Sequence, residues 1–210
     1  MIKAVLFDVD GVLLDSDEQY VELYEGVGKA FGLKSPGGKW FRKRFGIAAE
    51  DIIPEAYGNN MKIVELFKTL EEKMHVDITD GVEKVLQSIK VKKGIVSTKD
   101  MRLIKKFLGN IVDEFDVVIS GNDTKKHKPN PEPLLLACDR LGVNPNDTMY
   151  IGDAIADYLT AKNAGANFIG FVNGGATEEE FREAGAETTV HSMKELQDEL
   201  ANMGVLKLQD

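Results

Sequence analysis

Residues 4–12, Ala-Val-Leu-Phe-Asp-Val-Asp-Gly-Val, decide the fold of this chain. The apolar run at residues 4–7 is too short for a buried helix and predicts a core strand. Asp8 and Asp10 follow at the carboxyl end of this strand. Open α/β sheets place their chemistry at that end of their strands. The stretch therefore predicts a strand of an α/β sheet and, directly after it, a candidate site.

A second pair of acids, Asp153 and Asp157, follows the apolar residues 148–152 in the same way. The spacing of four puts both acids on one face of a helix that begins there. Carboxylates that converge at one sheet edge repel, by about 4 kcal/mol for two unit charges ~4 Å apart at an effective dielectric constant of about 20. We therefore expect a cation among them and predict a site for a divalent metal.

Length and composition indicate a soluble globular protein. The 210 residues are 43% hydrophobic and 29% charged, which is ordinary for such proteins. The net charge of −9 argues against nucleic acid as a partner, because binding to phosphate backbones needs a basic face. We find no transmembrane span or signal peptide and expect a cytoplasmic protein without a membrane partner. The single cysteine, Cys138, excludes an intramolecular disulfide, and its helical spacing from Leu134 and Leu141 predicts a buried hydrophobe.

From about residue 81 onward, strand and helix patterns alternate. Strands are predicted at residues 2–7, 94–97, 115–120, 148–152 and 167–172. Helices are predicted near residues 101–108, after Pro131, before Gly165, and after the capping boxes Thr177/Glu180 and Ser192/Glu195. This alternation predicts the α/β class, with a Rossmann-like open parallel sheet and helices on both faces.

Residues 16–80 break this rhythm, show no strand pattern and predict an inserted helical cap. Ser16 with Gln19 predicts a capped helix. The apolar faces of the first and last predicted helices are formed by Tyr20, Leu23, Tyr24, Val27 and Phe31, and by Ile63, Leu66, Phe67 and Leu70. Shorter helical patterns surround Trp40 and Ile52. We expect a catalytic core of residues 1–15 and 81–210, a cap of residues 16–80, and hinges near residues 15–16 and 77–81.

Two further residues complete the candidate site. Ser97 ends a predicted strand, so its hydroxyl projects at the same sheet edge, and Lys128 directly precedes a predicted helix. Taken alone, a serine at a strand end is usually a turn residue, and a lysine is usually solvated surface. The order acid pair, hydroxyl, lysine, acid pair favours a shared site.

With these four motifs the chain resembles the haloacid dehalogenase superfamily of hydrolases, in its phosphoglycolate phosphatase-like branch with a helical, C1-type cap. The resemblance covers nearly the whole chain and rests on residues 8–12, Ser97, Lys128 and residues 152–157, in that order. It implies a Rossmann-like sheet in which the motifs meet at one edge. Thr98 and Ala154 stand where relatives often carry Asn and Ser, which leaves the substrate open.

The resemblance implies a phosphatase that uses Mg²⁺ and acts on a small phosphorylated metabolite. Asp8 is the implied nucleophile, which forms an aspartyl-phosphate. Asp10 is the implied acid, which protonates the leaving alcohol and then activates water. Asp10 favours phosphate esters over C–Cl or C–P bonds, because a departing alkoxide needs a proton and a halide does not.

Metal and substrate ligands also follow from the resemblance. The implied metal residues are Asp8, Asp10 through its backbone carbonyl, Asp153 and, beside them, Asp157. An oxygen-only set suits Mg²⁺ better than zinc. The implied phosphate-binding residues are Ser97, Thr98 and Lys128.

Three points stay open. Residues 46–51 look like the cap loop that dips toward the site. The basic residues 39–44 have two interpretations: they guide an anionic substrate, or they form a solvated helix face with Trp40 and Phe41 packed inward. A sugar phosphomutase with the same chemistry is disfavoured by Phe45 and residues 47–49, and a phospho-receiver signalling module by the helical insertion and the second acid pair. The oligomeric state is not readable from the sequence.

Overall fold

Ala4–Phe7 (β1) lies near the middle of a six-stranded sheet in the computed structural model, which describes residues 1–207. The strands in spatial order are Val117–Ile119 (β5), Lys92–Val96 (β4), β1, Thr148–Gly152 (β6), Asn167–Phe171 (β7) and Thr189–Val190 (β8). All neighbouring strands are parallel. The predicted α/β class with an open parallel sheet is confirmed.

The register of β1 aligns the strand ends that carry the predicted site. Phe7 pairs with Ile95 of β4 on one side and with Ile151 of β6 on the other. The chain continues from these strands into Asp8, Ser97 and Asp153, which therefore emerge at one edge of the sheet.

Helices cover both faces of the sheet. Their bounds are Val82–Ser88 (α5), Met101–Leu108 (α6), Glu132–Leu141 (α7), Ile155–Ala164 (α8), Glu178–Ala184 (α9) and Met193–Asn202 (α10). Because side chains alternate along a strand, Val5 and Phe7 join the hydrophobic cluster under α5, α6 and α10. Ala4 and Leu6 join the cluster under α7 and α8, which also contains buried Cys138.

The segment between the first strand and α5 is helical, apart from a short ribbon at its base. Leu14–Asp15 (β2) pairs antiparallel with Asp77–Ile78 (β3), so both predicted hinges lie side by side. Between them lie Asp17–Ala30 (α1), Gly38–Arg42 (α2), Ala49–Tyr57 (α3) and Met61–Glu71 (α4). These helices enclose a hydrophobic cluster of their own. The division into core and cap remains a prediction, and we call residues 16–80 the helical segment.

Several local predictions were wrong in detail. Strand β3 lies in a segment predicted to contain none, and β8 was not predicted, since two residues give no pattern. Phe31 and Leu70, the last residues of the two predicted apolar faces, are 37% exposed.

The predicted helix caps had mixed outcomes. Thr177 and Glu180 form the predicted capping box. The second box is only half formed, because the Glu195 carboxylate accepts from the His191 N–H at 2.8 Å rather than from Ser192. Ser16 makes no side-chain cap on α1.

No helix within residues 1–207 combines the length and the hydropathy needed to span a membrane.

Candidate active site

Three acids converge at the carboxyl edge of the sheet. Asp8, Asp153 and Asp157 each place one carboxylate oxygen within 4.8 Å of the others, and all three side chains are buried. Asp8 follows β1, Asp153 follows β6, and Asp157 lies in the first turn of α8. These residues form what we call the acid cluster, and the sequence predicted all of them.

The oxygens of the acid cluster differ in their partners. Asp8 Oδ1 and Asp153 Oδ2 are buried and accept no hydrogen bond from residues 1–207. Asp157 Oδ1 accepts from Lys128, and Asp157 Oδ2 accepts from the Ala154 N–H at 3.1 Å. Two oxygens of the cluster therefore lack a partner, whereas those of Asp157 are already engaged.

Lys128 supplies a buried positive charge to this cluster. Its Nζ lies 3.0 Å from Asp8 Oδ2 and 2.6 Å from Asp157 Oδ1, and it donates to the Tyr150 hydroxyl at 3.1 Å. Burial alone lowers the pKa of Lys128, but Asp157 and Asp8 outweigh burial and raise it above its ordinary value. Sequence reasoning missed Tyr150, although it is the one residue with a phenol among the apolar side chains of β6.

One lysine does not balance the acids. Burial, together with Asp157 and Asp10, raises the pKa of Asp8 to about 7, although Lys128 opposes the shift. Burial also raises the pKa of Asp153 well above its ordinary value, and Asp17 is the strongest of the neighbouring acids that add to the shift. The edge therefore favours an additional cation when all carboxylates are ionised.

Asp17 is a further buried acid beside the cluster, which sequence reasoning did not select. It lies at the start of α1, is only 3% exposed, and its Oδ2 has no hydrogen-bond partner in the described chain. The neighbouring loop needs glycine: a Cβ on Gly174 would lie 2.8 Å from Asp17 Oδ2, and one on Gly175 would lie 2.1 Å from Asp153 Oδ2. The acid-rich run Asp-Ser-Asp at residues 15–17 was the available signal.

Asp10, the predicted acid–base residue, is held at the side of the site. The Ser16 hydroxyl donates to Asp10 Oδ1 at 2.9 Å, which explains why Ser16 does not cap α1. Lys99 Nζ lies 3.1 Å from Asp10 Oδ2. The Asp10 side chain keeps 32% of its surface exposed, so its carboxylate is accessible from the cavity above.

Lys99 connects this acid to the helical segment, and it was also missed. Its Nζ donates to the Tyr20 hydroxyl of α1 and lies 3.4 Å from Glu71 Oε1 at the end of α4. Tyr20 in turn donates to Glu71 at 2.6 Å. Burial alone lowers the pKa of Lys99, but Asp10 and Glu71 raise it above its ordinary value. Lys99 therefore carries a positive charge next to Asp10.

The predicted hydroxyl residues lie at the same edge. Ser97 is buried, and its Oγ accepts from the Lys99 N–H at 3.2 Å. Thr98 lines the cavity. Gly121 lies so close to the Thr98 carbonyl that a Cβ there would approach within 2.2 Å. This close contact holds the loop after β4 in place.

A cavity of about 470 Å³ lies above these residues and beneath the helical segment. Residues 46–51 line it, as the resemblance implied, although Glu50 and Asp51 belong to the first turn of α3 rather than to a loop. Gly46 has a φ of +81°, and a Cβ there would lie 3.1 Å from the Ala156 Cβ. This glycine lets the helical segment approach α8 closely.

The basic residues 39–44 do not line the cavity. Arg42 donates to the Gly174 carbonyl at 2.8 Å and to Glu18, Lys43 lies 3.6 Å from Glu180, and Arg44 pairs with Glu55 and stacks on Trp40. Phe41 is fully buried. The contacts favour the second alternative, in which the aromatic residues pack inward and the charges pair at the surface.

The profile of the haloacid dehalogenase-like hydrolases matches residues 5–171, which include all four motifs at the sheet edge. The chain belongs to this family, and the predicted membership is confirmed.

Curated relatives are phosphatases. Pyrophosphatase PpaX from Bacillus velezensis is 30% identical over 189 residues, which cover 80% of this chain and 82% of the relative. N-acetylmuramic acid 6-phosphate phosphatase from Pseudomonas aeruginosa is 28% identical over 178 residues, which cover 78% and 79%. The predicted enzyme class, a phosphatase of this family, is confirmed.

Solved structures share the fold over nearly the full chain. A haloacid dehalogenase-like hydrolase from Bacteroides fragilis is 28% identical, with a TM-score of 0.84 over 93% of this chain and 100% of that one. The β-phosphoglucomutase of Clostridium difficile has a TM-score of 0.77 at 23% identity, over 98% and 100%. The second likeness shows the fold alone.

Proposed function

We propose that the protein is a Mg²⁺-dependent phosphatase that hydrolyses a small phosphate monoester through an aspartyl-phosphate on Asp8. One observation carries this proposal. Asp8 is fixed by Lys128 through Oδ2, while its Oδ1 is buried and unpartnered; Asp153, whose Oδ2 is also unpartnered, places a carboxylate oxygen within 4.8 Å of one from Asp8. A buried carboxylate with one anchored oxygen and one free oxygen is suited to act as a nucleophile.

The donor set fits Mg²⁺. One carboxylate oxygen of Asp8 and one of Asp153, with the Asp10 carbonyl, would hold the ion. Oxygen-only ligands suit Mg²⁺, which keeps several waters and uses few protein carboxylates. When bound, Mg²⁺ would supply the positive charge that Lys128 alone does not, at the nucleophile and at the phosphoryl oxygens. Asp157, whose oxygens accept from Lys128 and Ala154, would orient the lysine.

In the first half-reaction, an Asp8 oxygen attacks phosphorus as the bond to the ester oxygen breaks. Asp10 gives its proton to the departing oxygen, which leaves as an alcohol. Ser16 and Lys99 hold the Asp10 carboxyl group toward the cavity where that oxygen lies. Ser97, Thr98 and Lys128 would bind the phosphoryl oxygens, whose negative charge needs fixed donors.

The second half-reaction returns Asp8 to its free state. Asp10, now a carboxylate, takes a proton from water as the water attacks phosphorus, and the bond from phosphorus to the Asp8 oxygen breaks. Inorganic phosphate leaves. One residue thus serves as acid and then as base, an effect typically worth about 10²–10⁴-fold in rate.

A sugar phosphomutase would use the same first half-reaction and return the phosphoryl group to a sugar. Steady release of phosphate without an added sugar bisphosphate separates the two. The family match disfavours a phospho-receiver module.

We expect 4-nitrophenyl phosphate to be hydrolysed with Mg²⁺, and chelation or Asp8→Asn to abolish turnover. Near wild-type turnover by Asp8→Asn would contradict the proposal.

A further inference from the structure

The walls of the cavity decide which leaving group the site accepts. A volume of about 470 Å³ is within the range of small-molecule sites. Asp8, Asp10, Asp17 and Asp153 form the floor. The other residues that line the cavity belong to the helical segment and to the chain after β4 and after β5, and we call them the cavity wall.

The basic side chains of the cavity wall are already paired with carboxylates. Lys68 Nζ lies 2.6 Å from Glu50 Oε1, and Arg102 Nη2 lies 2.5 Å from Glu72 Oε1. Lys99 is committed to the contacts described above and is only 2% exposed at its side chain. In the described part of the chain, every lysine and arginine on the wall has an acidic partner. A second anionic group on a substrate would therefore meet no unpaired lysine or arginine there.

Carboxylates also outnumber these cations. The wall carries five acids, Glu50, Asp51, Glu71, Glu72 and Asp100, against the three basic residues named above. His127 lines the same cavity and lies within electrostatic reach of Glu50. The basic residues 39–44 add nothing, because they do not line the cavity. An additional negative charge on the leaving group would therefore be repelled.

The remaining surface of the wall is aromatic and apolar. Tyr24 and Phe67 stack with ring centroids 4.7 Å apart and are buried behind the wall, whereas Phe45 and Ile47 present partly exposed apolar side chains to the cavity. Such faces fit the C–H faces of a sugar or polyol. Carboxylate oxygens accept hydrogen bonds from hydroxyl groups, so the acids favour the same kind of ligand.

We propose that the substrate carries one phosphate on an uncharged, polyhydroxylated leaving group, such as a monosaccharide or polyol. A diphosphate or a phosphorylated carboxylic acid would be a poor substrate. This inference rests on the proposed function, since it concerns the alcohol that Asp10 protonates.

The test compares kcat/KM with Mg²⁺ for a hexose 6-phosphate and glycerol 3-phosphate against pyrophosphate and 2-phosphoglycolate. We expect the first pair to be better substrates by on the order of tenfold or more. Equal or faster hydrolysis of the anionic pair would overturn the inference. Hydrolysis of 4-nitrophenyl phosphate without that of either hydroxylated substrate would also overturn it. If 4-nitrophenyl phosphate itself is not hydrolysed, the proposed function fails.

A charge variant tests the physical reason. Glu50→Gln combined with Glu72→Gln removes two wall acids and frees Lys68 and Arg102. The ratio of kcat/KM for pyrophosphate to that for the hexose phosphate should rise roughly fivefold to tenfold. Glu65→Gln, an exposed acid of α4 away from the wall, is the matched control and should leave this ratio unchanged. An unchanged ratio in the double variant would contradict the electrostatic argument.

Discussion

Replacing Asp17 with Asn should stabilise the metal-free protein at neutral and alkaline pH. Burial raises the pKa of Asp17 from 3.8 to about 8; Asp10 adds to the shift, and Arg42 opposes it. Between these two values the folded protein holds a proton that the unfolded chain releases. The free energy of unfolding therefore falls as pH rises from about 4 to 8, and it is constant with respect to this group outside that window.

The size of the effect follows from the two pKa values. At ~1.4 kcal/mol for each pH unit, a pKa raised from 3.8 to about 8 sets a ceiling of roughly 6 kcal/mol. We expect Asp17→Asn to raise the free energy of unfolding at pH 8 by roughly 3–5 kcal/mol and to change it by less than about 1 kcal/mol at pH 4. The amide keeps the shape of the side chain and removes its charge.

Urea unfolding in EDTA across pH 4 to 8 measures this difference. Glu22→Gln is the matched control, because Glu22 is an exposed acid on the same helix, α1. This control should follow the wild type at every pH. If the free energy of unfolding changed with pH in the same way for the wild type and for Asp17→Asn, the interpretation that Asp17 is a buried acid with a raised pKa would be refuted.

Two other substitutions test the roles of the charged groups. Lys128→Met should lower the free energy of unfolding by about 3–5 kcal/mol at pH 8, because it leaves buried Asp8 and Asp157 without their cation. Urea unfolding measures this loss. An equal loss in the exposed control Lys126→Met would contradict the prediction. Asp10→Asn should slow the hydrolysis of alkyl phosphates by about 10²–10⁴-fold and the first turnover of aryl phosphates much less. Rapid-quench kinetics compares the two substrates, and an equal loss would exclude the acid role.

The parts of the fold that follow local patterns were predictable from the sequence. The apolar run before Asp8 and the one before Asp153 each formed a parallel strand, because a buried strand leaves a recognisable run of hydrophobic residues. The bounds of α6 and β6 agree with their predicted ranges. Since parallel strands end at one edge, the meeting of Asp8, Ser97 and Asp153 followed from the strand pattern.

The contacts that were missed join residues far apart in sequence. Lys99 meets Tyr20 across 79 residues and Glu71 across 28, and no local pattern specifies such a pairing. Ser16 had two competing partners, the first turn of α1 and the Asp10 carboxylate. The tertiary contact formed instead of the cap, since the hydroxyl of fully buried Ser16 donates to Asp10 Oδ1.

Trapping the phosphorylated residue tests the central claim most directly. Asp10→Asn should load phosphate from 4-nitrophenyl phosphate with Mg²⁺ and then lose it slowly, because the leaving group needs no proton and the attacking water lacks its base. Acid quenching, borohydride reduction and peptide mass spectrometry should then find homoserine at position 8. Unmodified Asp8 after a full burst of nitrophenolate, or the same label on another residue, would contradict the account.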